Sequence, residues 1–189
     1  MITSCFDLPI LDWIASHLWC PFLDAVMPVI THLGDGGIFW IVLALTSLCL
    51  PKYRKTGLAM GLALLFGLIL CNLLLKPLVG RIRPFDYQLL QGKAIDLLIA
   101  APKDFSFPSG HTIASFEAAT ALLLHNKKLG IPAMVLAALV AFSRLYLYVH
   151  YPTDVIASIL LGVGLAFLGS WMVKNGFQIY ENRKTLNNQ

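Results

Sequence analysis

Charge is what this sequence has least of. Only 13% of its 189 residues are charged, about half of the roughly 25% usual in a soluble globular domain. With 58% apolar residues and a mean hydropathy of +0.74, an ordinary water-soluble domain is excluded, and so is a disordered or collagen-like chain. Carboxylates are scarcer still: the ten Asp and Glu residues are scattered, without a cluster suited to magnesium, and there is no Walker-type glycine loop. Cys5, Cys20, Cys49 and Cys71 show neither C-x-x-C nor a His spacing suited to zinc. Cys49 and Cys71 lie in apolar runs and read as small hydrophobes. No Lys or Arg precedes Lys52 and no small-residue cleavage site is evident, so the N-terminus does not read as a signal peptide. The length allows one domain, without room for a separate soluble catalytic module.

What fills the chain instead is hydrocarbon. Apolar runs cover 36–50, 56–75, 109–124, 131–148 and 155–173. The second, fourth and fifth meet the roughly 20-residue requirement for a spanning helix. The first and third are short, which local thinning of the bilayer accommodates. Backbone groups find no water in lipid, so such runs must be helical. In residues 10–26, apolar side chains recur at helical spacing with Asp12, Ser16, His17 and Asp24 between them, the pattern of an amphipathic helix in the membrane interface. The expected fold is therefore all-α: an integral membrane bundle of about five transmembrane helices plus an N-terminal interfacial helix. Residues 1–35 form an N-terminal segment, 36–173 the transmembrane domain and 174–189 a cytoplasmic tail.

Orientation follows from Lys and Arg. Lys52, Arg54 and Lys55, then Lys127 and Lys128, then Lys174, Arg183 and Lys184 fall on one side of a five-span layout, the cytoplasm. The N-terminal segment, with four Asp and no Lys or Arg, falls on the other. Trp40, Tyr146, Tyr148 and Tyr151 are expected there as an aromatic belt. The long connection 76–108 breaks the charge rule by placing Lys76, Arg81, Arg83, Lys93 and Lys103 outside, and anion binding would explain it. A connection of this length is usually functional or disordered.

Three clusters bracket the outer helix ends: Lys76-x6-Arg83-Pro84, Pro108-Ser109-Gly110-His111, and Ser143-Arg144-x5-His150-x3-Asp154. Pro108 and Ser109 are helix-start signals, and unpaired N–H groups at Ser109 and Gly110 could cradle a phosphate oxygen. Asp154, in the first turn after Pro152, could reach back to one ring nitrogen of His150 and leave the other free, a nucleophile–orienter pair. Lys76, Arg83 and Arg144 supply three positive charges. Phosphoryl transfer is catalysed mostly by positioned cations and backbone donors, so a metal-free route with a His nucleophile is the economical reading. Arg81 reads as a loop or headgroup contact, Glu117 as a hydrogen-bond partner between helices, and Asn72 as support for Lys76. His17, His32 and His125 read as interfacial, and Ser158, Gly162, Gly164 and Gly169 as packing positions.

These three motifs, over about residues 30–173, resemble the membrane type 2 phosphatidic acid phosphatase superfamily. The resemblance implies that His150 attacks phosphorus and forms a phosphohistidine. It implies that His111 protonates the leaving oxygen and later deprotonates water, and that Asp154 orients His150. Lys76, Arg83, Arg144, Ser109 and Gly110 would bind the phosphoryl oxygens. Six spans are common in the family, where the hydropathy pattern here gives five. No cofactor, metal or nucleic acid is implied, and no obligate protein partner. The substrate would be a lipid phosphate or diphosphate drawn from the bilayer, at the extracytoplasmic side of the plasma membrane. Family analogy leans to undecaprenyl diphosphate, with phosphatidylglycerophosphate and phosphatidic acid open. A lipid phosphotransferase with the same site is the nearer rival. A transporter would need midplane charges and internal repeats.

Overall fold

The computed structural model describes residues 3–186; the first two residues of the N-terminal segment, the last three of the tail and the Ser4 and Arg183 side chains lie outside the described residues. Among the described residues every regular element is helical. The N-terminal segment is two helices rather than one over 10–26: α1 (Leu8–Leu18) and α2 (Pro21–His32), which breaks from α1 at Pro21. Next come α3 (Ile38–Cys49) and α4 (Arg54–Gly67), which continues as a π-helix over Leu68–Leu75 and a last α-turn, α5 (Lys76–Val79). After a short α6 (Pro84–Leu90) and an irregular stretch, α7 (Gly110–His125), α8 (Lys127–Tyr146) and α9 (Pro152–Leu186) complete the bundle.

Among the described residues, three helical stretches are long and apolar enough to cross a membrane, lying within 51–90, Lys127–Tyr146 and Pro152–Leu186. The pair formed by α2 and the 35–49 segment, bent by 40°, makes a fourth if it counts as one span. Helix α7, at 16 residues, is short, and it is the centre of the bundle. It packs on α8, α9 and α4, and residues 115–122 are all buried. A helix enclosed on every side shows no amphipathic stripe. Contacts there are close because the residues are small: a Cβ on Gly130 would lie 2.2 Å from Leu123 Cα, and one on Gly162 3.0 Å from the Ile113 carbonyl. Gly169 packs as tightly on α4, whereas Gly164 faces open space.

The local starts follow from capping. Asn126 accepts from the N–H groups of Lys128 (3.1 Å) and Leu129 (3.3 Å) to open α8, and Pro152 opens α9 where its missing N–H costs nothing. Between them Tyr148 has φ 58°, an uncommon conformation for a bulky residue. It reverses the chain within the few residues that separate Arg144 from His150.

The expected aromatic belt is not formed. Trp40, Tyr146, Tyr148 and Tyr151 are all buried, and the polar tips of the first three have partners inside. Trp40 Nε1 donates to Ser115 Oγ (2.9 Å), Tyr146 Oη to Asp24 (2.6 Å) and Tyr148 Oη to Asp12 (2.6 Å). The two tyrosine bonds fasten α2 to the end of α8 and α1 to the turn that follows it. The aspartates that gave residues 10–26 their polar face are thus acceptors for buried tyrosines. Cys71 is buried, as its apolar run suggests, whereas Cys49 is exposed.

Candidate active site

One cavity of about 1030 Å³ runs between α3, α4 and α7 and ends beneath the 99–104 loop. Its head is lined by Lys76, Arg83, Gly110, His111, Arg144 and His150, and its remaining length by carbon from residues such as Leu45, Leu48, Leu64 and Leu68. Three motifs far apart in sequence therefore meet at one end of an apolar channel.

Arg83 is the hub. Its Nη1 donates to the Val149 carbonyl (2.7 Å) and lies 3.2 Å from His150 Nε2. Its Nε and Nη2 bond the carbonyl and carboxylate of Asp104. The second carboxylate oxygen of Asp104 accepts from Lys76 Nζ at 2.5 Å. Two cations of the head are thus bridged by one loop carboxylate. Burial would raise the pKa of Asp104, but hydrogen bonds from Lys76 and Arg83 hold it well below the usual carboxylate range. It stays ionised through the acidic range and competes with any anion for the same donors. The carboxylate is half exposed, so each pair is worth no more than about 1 kcal/mol. Asp104→Asn is expected to tighten inhibition by inorganic phosphate about three- to tenfold; unchanged or weaker inhibition would show that the carboxylate does not occupy the anion position.

His150 is fully buried in the turn between α8 and α9. Burial lowers its pKa to about 3, with Arg83 and Arg144 adding to the effect against Asp154, so the ring is neutral. Nε2 faces Arg83 and the cavity head, while Nδ1 lies 3.6 Å from Asp154 Oδ2, beyond direct hydrogen bonding and without another partner. Asp154 instead accepts from Ser106 Oγ (2.5 Å), the Tyr151 N–H (3.0 Å) and Arg81 Nη1 (2.5 Å). Arg81, read from sequence as a loop or headgroup contact, is a bridge between two buried carboxylates: its Nη2 donates to Asp7 Oδ2 at 2.6 Å.

His111 sits in the first turn of α7, its Nε2 2.8 Å from Asp35 Oδ1. The other oxygen of Asp35 pairs with His32 Nδ1 at 2.7 Å. Burial acts upward on Asp35, and hydrogen bonds from His32 and His111 outweigh it and lower its pKa. Asp35 is presented by Gly36 and Gly37, at φ 58° and 67°, a left-handed pair that glycine adopts freely. Gly34 leaves the ring its room, since a Cβ there would lie 2.7 Å from His111 Cδ2. Arg144 Nη1 donates to Thr31 Oγ1 (2.5 Å), and its Nε has no partner. Ser109 stands behind the wall: its N–H donates to Ser158 Oγ (2.8 Å) and its Oγ accepts from Thr112. Gly110 is on the wall itself, and Asn72 lies beside Gly110.

A profile of the PAP2 superfamily matches residues 56–178. The chain belongs to the PAP2 superfamily. Its relatives include the undecaprenyl-diphosphatase of Sulfolobus acidocaldarius, 34% identical over 82% of this chain and 72% of the relative. The phosphatidylglycerophosphatase B of Bacillus subtilis is 36% identical over 78% of this chain and 74% of the relative. The crystal structure of a transmembrane PAP2-type phosphatidylglycerolphosphate phosphatase from Bacillus subtilis superposes with a TM-score of 0.68 at 29% identity, covering 89% of this chain and 86% of that one. This PAP2 chain is thus a multi-pass membrane protein of all-helical fold.

Sequence reading missed Asp35, Asp104 and the bridging role of Arg81 in this PAP2 site. None sits in a repeating pattern. The one signal was arithmetic: buried cations and imidazoles need counter-charges, and the chain has only ten Asp and Glu residues to supply them.

Proposed function

We propose that this PAP2 protein hydrolyses a lipid phosphate or diphosphate in two steps through a phosphohistidine, with its site on the outer face of the plasma membrane. The observation that carries the reading is one cavity with a cationic head and an apolar body. Lys76, Arg83 and Arg144 would hold the phosphoryl oxygens with the Gly110 N–H, and the tail would lie along the carbon-lined length. His150 Nε2 attacks phosphorus with its lone pair. The bond from phosphorus to the lipid oxygen breaks, and His111 gives that oxygen a proton. Water then attacks the phosphohistidine, His111 takes its proton, and the nitrogen–phosphorus bond breaks to release inorganic phosphate. Asp154, 3.6 Å from His150 Nδ1, would orient the ring through its charge, and Ser109 acts through the wall it supports.

The outer-face assignment rests on charge: the Lys and Arg of the 50–56 and 126–128 turns lie at the opposite helix ends from the cavity head. The names of the relatives span undecaprenyl diphosphate and phosphatidylglycerophosphate, and both heads suit this site. The test is release of inorganic phosphate by the purified protein from prenyl diphosphates and glycerophospholipid phosphates, with and without a lipid acceptor. Phosphate released equally in both arms supports hydrolysis. Transfer to the acceptor would make it a phosphotransferase, and no turnover of any lipid phosphate would overturn the reading.

A further inference from the structure

Among the described residues, Glu117 is the titratable side chain on the apolar length of the cavity, away from its charged head, and the phosphoryl chemistry proposed above leaves it unused. It is 1% exposed, and its Oε1 has no hydrogen-bond partner, so the expected bond between helices is not made through that atom. Buried polar atoms are nearly always satisfied in native structures, and each exception asks for an explanation. The surroundings are arranged around this carboxyl. A Cβ on Gly67 would lie 2.0 Å from Glu117 Oε1, so any larger residue there would displace it. Immediately after Gly67, α4 widens into the π-helix of Leu68–Leu75, a distortion often found at functional sites.

Depth identifies the missing partner. Glu117 follows His111 by six residues in α7, roughly 9 Å along the axis, where Leu64, Gly67 and Leu68 make the wall apolar. A carboxyl group in hydrocarbon keeps its proton, because the ionised form would lose its hydration. It therefore has an O–H to donate. A glycerophospholipid with its phosphate at Arg83 and Arg144 carries acyl-ester carbonyls a few bonds below phosphorus, at this depth. A prenyl diphosphate has its second phosphate just below the reacting phosphorus and only hydrocarbon beyond it, so at the depth of the ester carbonyls it would leave the carboxyl unpaired.

We propose that Glu117 is a recognition subsite for the acyl-ester carbonyl of a glycerophospholipid phosphate, and so a determinant of which lipid this enzyme prefers. The inference rests on the lipid-phosphatase reading above. The test measures KM in mixed micelles for a diacyl phosphatidic acid, its dialkyl ether analogue and a prenyl diphosphate, with the wild type, E117Q and E117L. A lost hydrogen bond to a buried group corresponds to about a tenfold change. E117L is expected to raise KM about tenfold for the diacyl lipid and to leave the ether and prenyl substrates within about twofold. E117Q, whose amide still donates, should keep most of the diacyl affinity. Equal changes on all three substrates, or none, would overturn the subsite. If E117L does not fold, the wild type decides alone: it should bind diacyl better than dialkyl lipid by about the same factor, and equal KM values would overturn the proposal. A wild type that hydrolyses these lipids without an ester–ether difference removes the subsite only, whereas one that hydrolyses none removes both readings.

Discussion

His150→Ala is expected to lower phosphate release by at least about three orders of magnitude, since loss of a nucleophile leaves only binding and electrostatic effects. The protein should remain folded. His150 fills its site without contributing a partnered Nδ1, and the Val149 carbonyl, rather than the ring, takes the shorter bond from Arg83. Its neutrality gives a second readout. The folded state holds the pKa near 3, below the ordinary value of about 6.5, so the unfolded chain binds the proton first as the medium is acidified. Stability contributed by this group is complete above about pH 6.5 and is lost as pH falls from there toward 3. The alanine variant should lose that part of the acid sensitivity along with its turnover. Phosphate release within tenfold of the wild type would remove His150 as the nucleophile. Labelled phosphate trapped on His150 in a His111→Ala variant would support the two-step route.

The fold was readable where hydrocarbon dictated it. The runs at 56–75, 131–148 and 155–173 became α4 with its continuation, α8 and α9, because length and apolarity suffice to demand a helix in lipid. The motifs were readable because Pro108, Pro152 and Pro84 mark the chain breaks that carry them, so His111 and Asp154 could be placed in first turns. What was hidden depends on contacts distant in sequence. Asp12 and Asp24 looked like the wet side of an interfacial helix, and only the fold brings Tyr148 and Tyr146 onto them. The tyrosines in turn looked like a belt because an aromatic near a span end satisfies that pattern whether its hydroxyl meets water or a buried carboxylate. Asp35 lies in a single 3-10 turn and Asp104 in a loop, where periodicity says nothing, and their partners come from other elements. Glu117 was legible as an intramembrane carboxylate, but the space that Gly67 leaves for it was not.

Arg81→Met is expected to destabilise the protein by about 3–5 kcal/mol, the range for removing one member of a buried charge cluster. Asp7 and Asp154 are both fully buried, and the guanidinium forks between them at 2.6 and 2.5 Å while stacking 3.8 Å above the Tyr151 ring. Its removal leaves both buried carboxylates without the cation they share. Asp7 also accepts from the N–H (3.0 Å) and hydroxyl (2.9 Å) of Thr153, in the first turn of α9, where negative charge suits the helix dipole. The cluster therefore ties the N-terminal segment to the helix that carries Asp154, and stability and turnover should fall together. Lys in place of Arg should rescue little, because a single ammonium cannot bridge two carboxylates in fork geometry. Adding Asp7→Asn to Arg81→Met should recover part of the stability by removing one unpaired charge, and the double-mutant cycle measures that coupling. Turnover should recover less, because Asp154 would still lack its guanidinium donor. Thermal unfolding in detergent beside phosphate release separates the two effects, and an Arg81→Met protein that melts like the wild type would show that the bridge does not hold the site together.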